Sequence, residues 1–117
     1  AAIFNQELPH PEKAAGLGNV TAMVLRGLLA EEVDDVDEAR EWYVRAANLS
    51  YGPAMFFLGL LAENAGDLDE AEVWFGEAAA GGDETAMVKL GRLAEAAGDA
   101  EAARDWFAKA ASLGNAT

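Results

Sequence analysis

Three tryptophans, Trp42, Trp74 and Trp106, fall at a constant interval of 32 residues, and their surroundings recur with them. Each is followed by an aromatic residue (Tyr43, Phe75, Phe107) and then by an alanine pair (Ala46-Ala47, Ala78-Ala79, Ala110-Ala111). The same interval links Gly27, Gly59 and Gly91, the leucines Leu29, Leu61 and Leu93, and the methionines Met23, Met55 and Met87. A period of this length marks a repeat array, in which each unit buries its apolar face only against its neighbours. Such an array supplies extended binding surfaces and points away from catalysis.

Each unit reads as two helices. Pro53 suits a first helical turn, and Ala54, Met55, Leu58, Leu61 and Ala62 follow at helical spacing. Gly66 fits the left-handed position that closes a helix, and Asp67 fits the N-cap of the next. Asp67 with Glu70, and Asp35 with Glu38, have capping-box spacing. Each cap contributes about 1 kcal/mol. Ala71, Trp74, Phe75, Ala78 and Ala79 form the apolar stripe of the second helix, which Gly81-Gly82 ends. The spacing predicts helix pairs at 20–32 with 36–48, 53–65 with 68–80, and 84–97 with 100–112. Gly27, Gly59 and Gly91 fall where paired helices approach closely, with the aromatics filling the space beside them.

Charge narrows the partners. Against 21 Asp+Glu the chain has 8 Lys+Arg, a net charge of −13, which supplies no positive footprint for nucleic acid or an anionic membrane. A polypeptide with basic and apolar residues is favoured. The absence of cysteine excludes disulfides, zinc–thiolate sites and a thiol nucleophile. No run of about 18 apolar residues is present to cross a bilayer. An acidic, cysteine-free chain without a leader is expected in the cytoplasm.

The repeat register divides the chain into segments 1–18, 19–50, 51–82, 83–114 and 115–117. Lys13 to Asn19 nearly repeats Lys109 to Asn115, so the first segment reads as the remnant of an earlier second helix, shortened by Pro9 and Pro11. Asn115-Ala116-Thr117 matches Asp83-Glu84-Thr85 and reads as the start of a further repeat. No polar capping helix is visible, so the chain is expected either to be part of a longer array or to pack its open end on another chain.

Leu58-Gly59, Ala62, Gly66-Asp67, Asp69-Glu70-Ala71, Phe75 and Ala78 resemble the tetratricopeptide repeat pattern. Trp74 to Gly81, followed by Ala86-Met87 and Leu90-Gly91, is similar to the Sel-one-like repeat variant. The resemblance covers residues 18–114 three times over. It implies an all-α, right-handed α-solenoid of antiparallel helix pairs, three repeats with partial flanking ones, serving as a scaffold or adaptor. It also implies that the first helix of each pair lines a concave groove. By register those groove residues are Val24, Leu28 and Glu31, then Phe56, Leu60 and Glu63, then Val88, Arg92 and Glu95. The lysine and asparagine set that clamps a terminal carboxylate in some chaperone-binding members is missing.

Glu31, Glu63 and Glu95 stand near the C-terminal ends of their helices, where a carboxylate opposes the helix dipole at a cost of about a few tenths of a kcal/mol. A ladder of carboxylates beside Leu28 and Leu60 would suit an apolar segment carrying Lys or Arg; the alternative is inherited repetition on a solvated face. Two other functional readings stay open: self-association through an open C-terminal face around Leu93, Trp106 and Leu113, and a regulatory segment of a larger enzyme. No cofactor or metal is expected. The run Asp34-Asp35-Val36-Asp37-Glu38 lacks the glycine turn and distal glutamate of a calcium loop. His10, the only histidine, has no catalytic partner at motif spacing. The Trp–aromatic pairs read as core, not as a stacking platform.

Overall fold

The computed structural model of the protein describes residues 19–115. They form six α-helices and, among the described residues, no strand: α1 (Val20–Glu32), α2 (Val36–Asn48), α3 (Gly52–Asn64), α4 (Leu68–Ala80), α5 (Glu84–Ala96) and α6 (Ala100–Asn115). The expected all-α architecture of helix pairs is present. The segments 1–18 and 116–117, with the reading of His10 and of a preceding helix, lie outside the described residues.

The 32-residue period has a local cause. Each of the first five helices is 13 residues long and is followed by a three-residue link. At the α3–α4 link Gly66 takes φ 85°. Its N–H then donates to the Glu63 carbonyl at 3.0 Å, and the Asp67 N–H reaches the Ala62 carbonyl at 2.9 Å. This is a Schellman closure. The Asp67 carboxylate in turn accepts from the Glu70 N–H at 3.0 Å, which starts α4. One aspartate thus helps close a helix and opens the next. Asp35, Asp83 and Asp99 do the same, donating their own N–H groups to Ala30, Ala78 and Ala94 and capping through their carboxylates. Tyr51 stands where α3 should have such a cap, and Pro53 in the first turn removes one donor that would need a partner.

The left-handed positions Asp34, Ser50, Gly66, Gly82 and Gly98 recur at half the repeat length, one at every link. Gly114, next in this series, remains inside α6, which continues to Asn115 where the spacing predicted an end near 112. The breaker pair Gly81-Gly82 has become Leu113-Gly114. Leu49 holds the same register at the end of α2, which stops at Asn48, so the leucine alone does not account for the longer α6. Asn115 is the last residue of α6 among the described residues.

Two compact units divide the chain, Ala1–Ala54 and Met55–Thr117. In the first, α1 packs on α2, with the ring of Tyr43 fully buried over Gly27, where a Cβ would fall 2.7 Å from Tyr43 Cδ1. In the second, Phe75 lies over Gly59 and Phe107 over Gly91 in the same manner, at 2.5 and 2.7 Å from Cδ1. Phe75 is the centre of that core, with Ala62, Ala71, Ala78, Ala86, Met87 and Leu90 around it. The glycine–aromatic register expected from sequence is what joins the helix pairs.

The tryptophans are less uniform than their spacing. Trp42 is buried, while Trp74 and Trp106 are half-buried. The indole N–H of Trp42 donates to Glu38 at 3.2 Å, and that of Trp74 to Glu70 at 3.0 Å. The aromatic after each tryptophan, and not the tryptophan of Trp74 or Trp106, fills the helix–helix space.

Candidate functional site

The residues expected to line a groove differ in how much they offer to a partner. Val24 is buried and Arg92 and Glu95 are exposed; Glu31, Phe56, Leu60, Glu63 and Val88 are half-buried, and Leu28 is exposed. In the second unit, Phe56, Leu60 and Val88 each pack one side against the Phe75 core, and the Phe56 and Phe75 ring centroids are 5.5 Å apart. That unit therefore brings α3 and α5 apolar groups together on the side where Glu63 lies. The first unit carries Leu28 with Leu25 and Leu29, which are 54% and 59% exposed.

The three glutamates recur at one register but meet different chemistry. Glu31 accepts a short hydrogen bond from the hydroxyl of Tyr43. Burial, then the bond to Glu31 and its charge, pushes that hydroxyl well above the ordinary tyrosine range. At the next repeat the aromatic is Phe75, which has no hydroxyl to donate. Glu63 is instead met by Lys89 from α5, its Nζ at 2.8 Å from Oε1 and 5.9 Å from the Phe75 ring centroid. In the third repeat the aromatic is Phe107, which has no hydroxyl to donate either. Glu95 is exposed and makes no side-chain hydrogen bond or ion pair among the described residues. One hydroxyl and one lysine thus separate three carboxylates that look alike in sequence.

A second cluster was not anticipated. The Trp42 ring has the guanidinium of Arg26 at 5.0 Å from its centroid and that of Arg45 at 4.8 Å. Arg26 also pairs with Glu38 at 3.5 Å. Arg26 stands at the register of Leu58 and Leu90, both buried, so the first unit puts a cation and its partner where the second has core leucine. The signal was present as an Arg26-Gly27 step against two Leu-Gly steps. Among the described residues no group of His, Cys, Asp and Glu is arranged to hold a metal ion, and no helix is long and apolar enough to cross a membrane.

The sequence model of the tetratricopeptide repeat family matches residues 52–77 and 85–109, the helix pairs α3–α4 and α5–α6. The Sel-one-like resemblance rests on the residues quoted for it alone. A crystal structure of MamA is similar over 96% of this chain and 72% of its own, with a TM-score of 0.73 and 22% identity. A second crystal structure, of MamA protein, is similar over 88% of this chain and 60% of its own, with a TM-score of 0.69 and 24% identity. At these identities the likeness establishes the fold, a tetratricopeptide-like helical repeat. Comparison with curated proteins finds no match.

Proposed function

We propose that the protein is a protein–protein interaction scaffold whose first helices, α1, α3 and α5, hold a polypeptide segment carrying apolar and basic side chains. The likeness of α3–α6 to tetratricopeptide repeats supports the scaffold role. The observation that carries the finer reading is Lys89. Its half-buried side chain sets the ammonium on Glu63 and 5.9 Å from the Phe75 ring centroid, so the second unit already accommodates one lysine in the way a partner's would be held. Glu95 repeats the same carboxylate and makes no side-chain hydrogen bond or ion pair among the described residues. Leu28 in the first unit, and Phe56, Leu60 and Val88 in the second, offer the apolar contacts. The net charge of −13 favours basic segments over acidic ones at long range.

Selection from a random-peptide display library tests this. Enriched peptides should combine aromatic or branched aliphatic residues with Lys or Arg, and should lose binding to a Glu95→Lys variant of unchanged helicity. Enrichment of acidic peptides, or equal binding to the variant, would overturn the reading.

A second reading, self-association, is favoured by Leu25 and Leu29 on α1 and by Leu113 on α6, which is 38% exposed beside a hollow lined by Met87 and Ala79. Light scattering across a dilution series separates the two, because a monomer at every concentration leaves only the first.

A further inference from the structure

Gly76 sits inside α4, with eight helical residues on its N-terminal side and four on its C-terminal side. The register places Val44 and Ala108 at the corresponding positions of the other repeats. A mid-helix glycine costs about 0.5–1 kcal/mol relative to alanine, so it calls for a reason. The close-approach reason that holds for Gly59 fails here, because a Cβ on Gly76 would meet nothing within 4 Å. Its backbone is not in the left-handed region either. The glycine leaves room that the folded chain does not use.

That room is one wall of a cleft of about 250 Å³ between α4, α5 and α6. Leu93 of α5, Ala97 just after it and Trp106 of α6 supply apolar surface, and Glu72 and Asp99 also line it. No Lys or Arg lines it. Lys109, 4.7 Å from the Trp106 ring centroid, lines the separate hollow beside Leu113. The volume is below the roughly 300–1,000 Å³ of small-molecule sites and matches a single large side chain better than a cofactor.

We infer that the Gly76 cleft is a docking site for one bulky apolar side chain, presented by a partner segment with lysine or arginine on either side of it. The anchor enters over Gly76 against Trp106 and Leu93, and the flanking cations meet Glu72 and Asp99. A buried apolar anchor ringed by complementary charge is the usual organisation of a small interaction hot spot. The residues are not those of the α1, α3 and α5 surface proposed above, so the cleft stands or falls separately.

The test is an NMR titration of the isotope-labelled protein with acetylated, amidated Lys-Phe-Lys at millimolar concentration. Saturable shifts are expected at the amides of Leu93 and Ala97 and at the Trp106 indole N–H. Gly76→Leu fills the cleft and should weaken binding by about tenfold or more, while Gly76→Ala confirms through an unchanged or raised melting temperature that this helix position tolerates a side chain. Lys-Ala-Lys and Glu-Phe-Glu should each bind at least about tenfold more weakly. Glu95→Lys should leave these shifts in place even if it abolishes binding to the other surface. No saturable shift at the cleft, or equal binding by Gly76→Leu, overturns the inference, and equal binding of Glu-Phe-Glu overturns its charge requirement.

Discussion

Alanine at Gly59 and alanine at Gly76 are the same chemical change in two helices of the same unit, and they should have opposite effects. Both remove a mid-helix glycine, which gains about 1 kcal/mol of helix propensity. At Gly76 the new methyl meets open space, so the variant should be about 1 kcal/mol more stable. At Gly59 it would stand 2.5 Å from Cδ1 and 2.8 Å from Cζ of Phe75. Carbon atoms prefer about 3.5–4.0 Å, so the ring or the helix must retreat by about 1 Å. Phe75 has no exposed surface through which to retreat, and overpacking of this kind costs about 1–3 kcal/mol. Gly59→Ala should therefore fall between neutral and about 2 kcal/mol destabilised, leaving a gap between the variants of about 1–3 kcal/mol that is steric. Urea unfolding followed by far-ultraviolet circular dichroism measures both. Adding Phe75→Leu to Gly59→Ala should recover part of the loss. Equal stabilisation by the two alanines would refute the claim that glycine–aromatic contacts join the helix pairs.

Three further outcomes follow from particular residues. Ser50 holds φ 65° without being glycine, so Ser50→Gly should raise stability by about 0.5–1 kcal/mol and the melting temperature by a few degrees; a lowered midpoint counts against the turn assignment. The Tyr43 hydroxyl is raised above its ordinary 10.0, chiefly by burial. Its contribution is thus complete below that pH and is lost as pH rises through the folded value, because the unfolded chain releases the proton first. Tyr43→Phe should cost about 1–2 kcal/mol near neutrality through the lost bond to Glu31 and should flatten the alkaline decline; an unchanged alkaline slope refutes the assignment. A double-mutant cycle of Lys89→Met with Glu63→Gln should give a coupling of about 0.5–1 kcal/mol that shrinks with added salt, and no coupling at low salt would remove the bridge from the account.

Much of the fold was legible because it is written in local chemistry. Asp35, Asp67 and Gly66 announce helix ends through groups within a few residues, and Gly59 with Phe75 announces a helix contact through size alone. The end of α6 was not legible, because Leu113 and Gly114 match Leu49 and Gly82, which stand just past helix ends in the other repeats, yet α6 runs through both. The candidate surface was less legible. Repetition made Glu31, Glu63 and Glu95 look equivalent, yet their partners are set by a tyrosine hydroxyl on α2 and a lysine on α5, each distant in sequence. Val24 follows the same register as Phe56 and Val88 and is buried, since helical periodicity places a residue on a face without saying how far a neighbour covers it. The Gly76 cleft was readable only as an absence, a glycine where the other repeats carry Val44 and Ala108.

The central claim is that α1, α3 and α5 take the partner segment, and methyl NMR with the strongest peptide from the display selection tests it most directly. Leu28, Leu60 and Val88 report on those helices, while Leu68 and Val73, 50% and 61% exposed on α4, report on the second helix of a pair. Saturable shifts are expected at Leu28, Leu60 and Val88 with Leu68 and Val73 unmoved. Shifts concentrated at Leu68 and Val73 would contradict the claim.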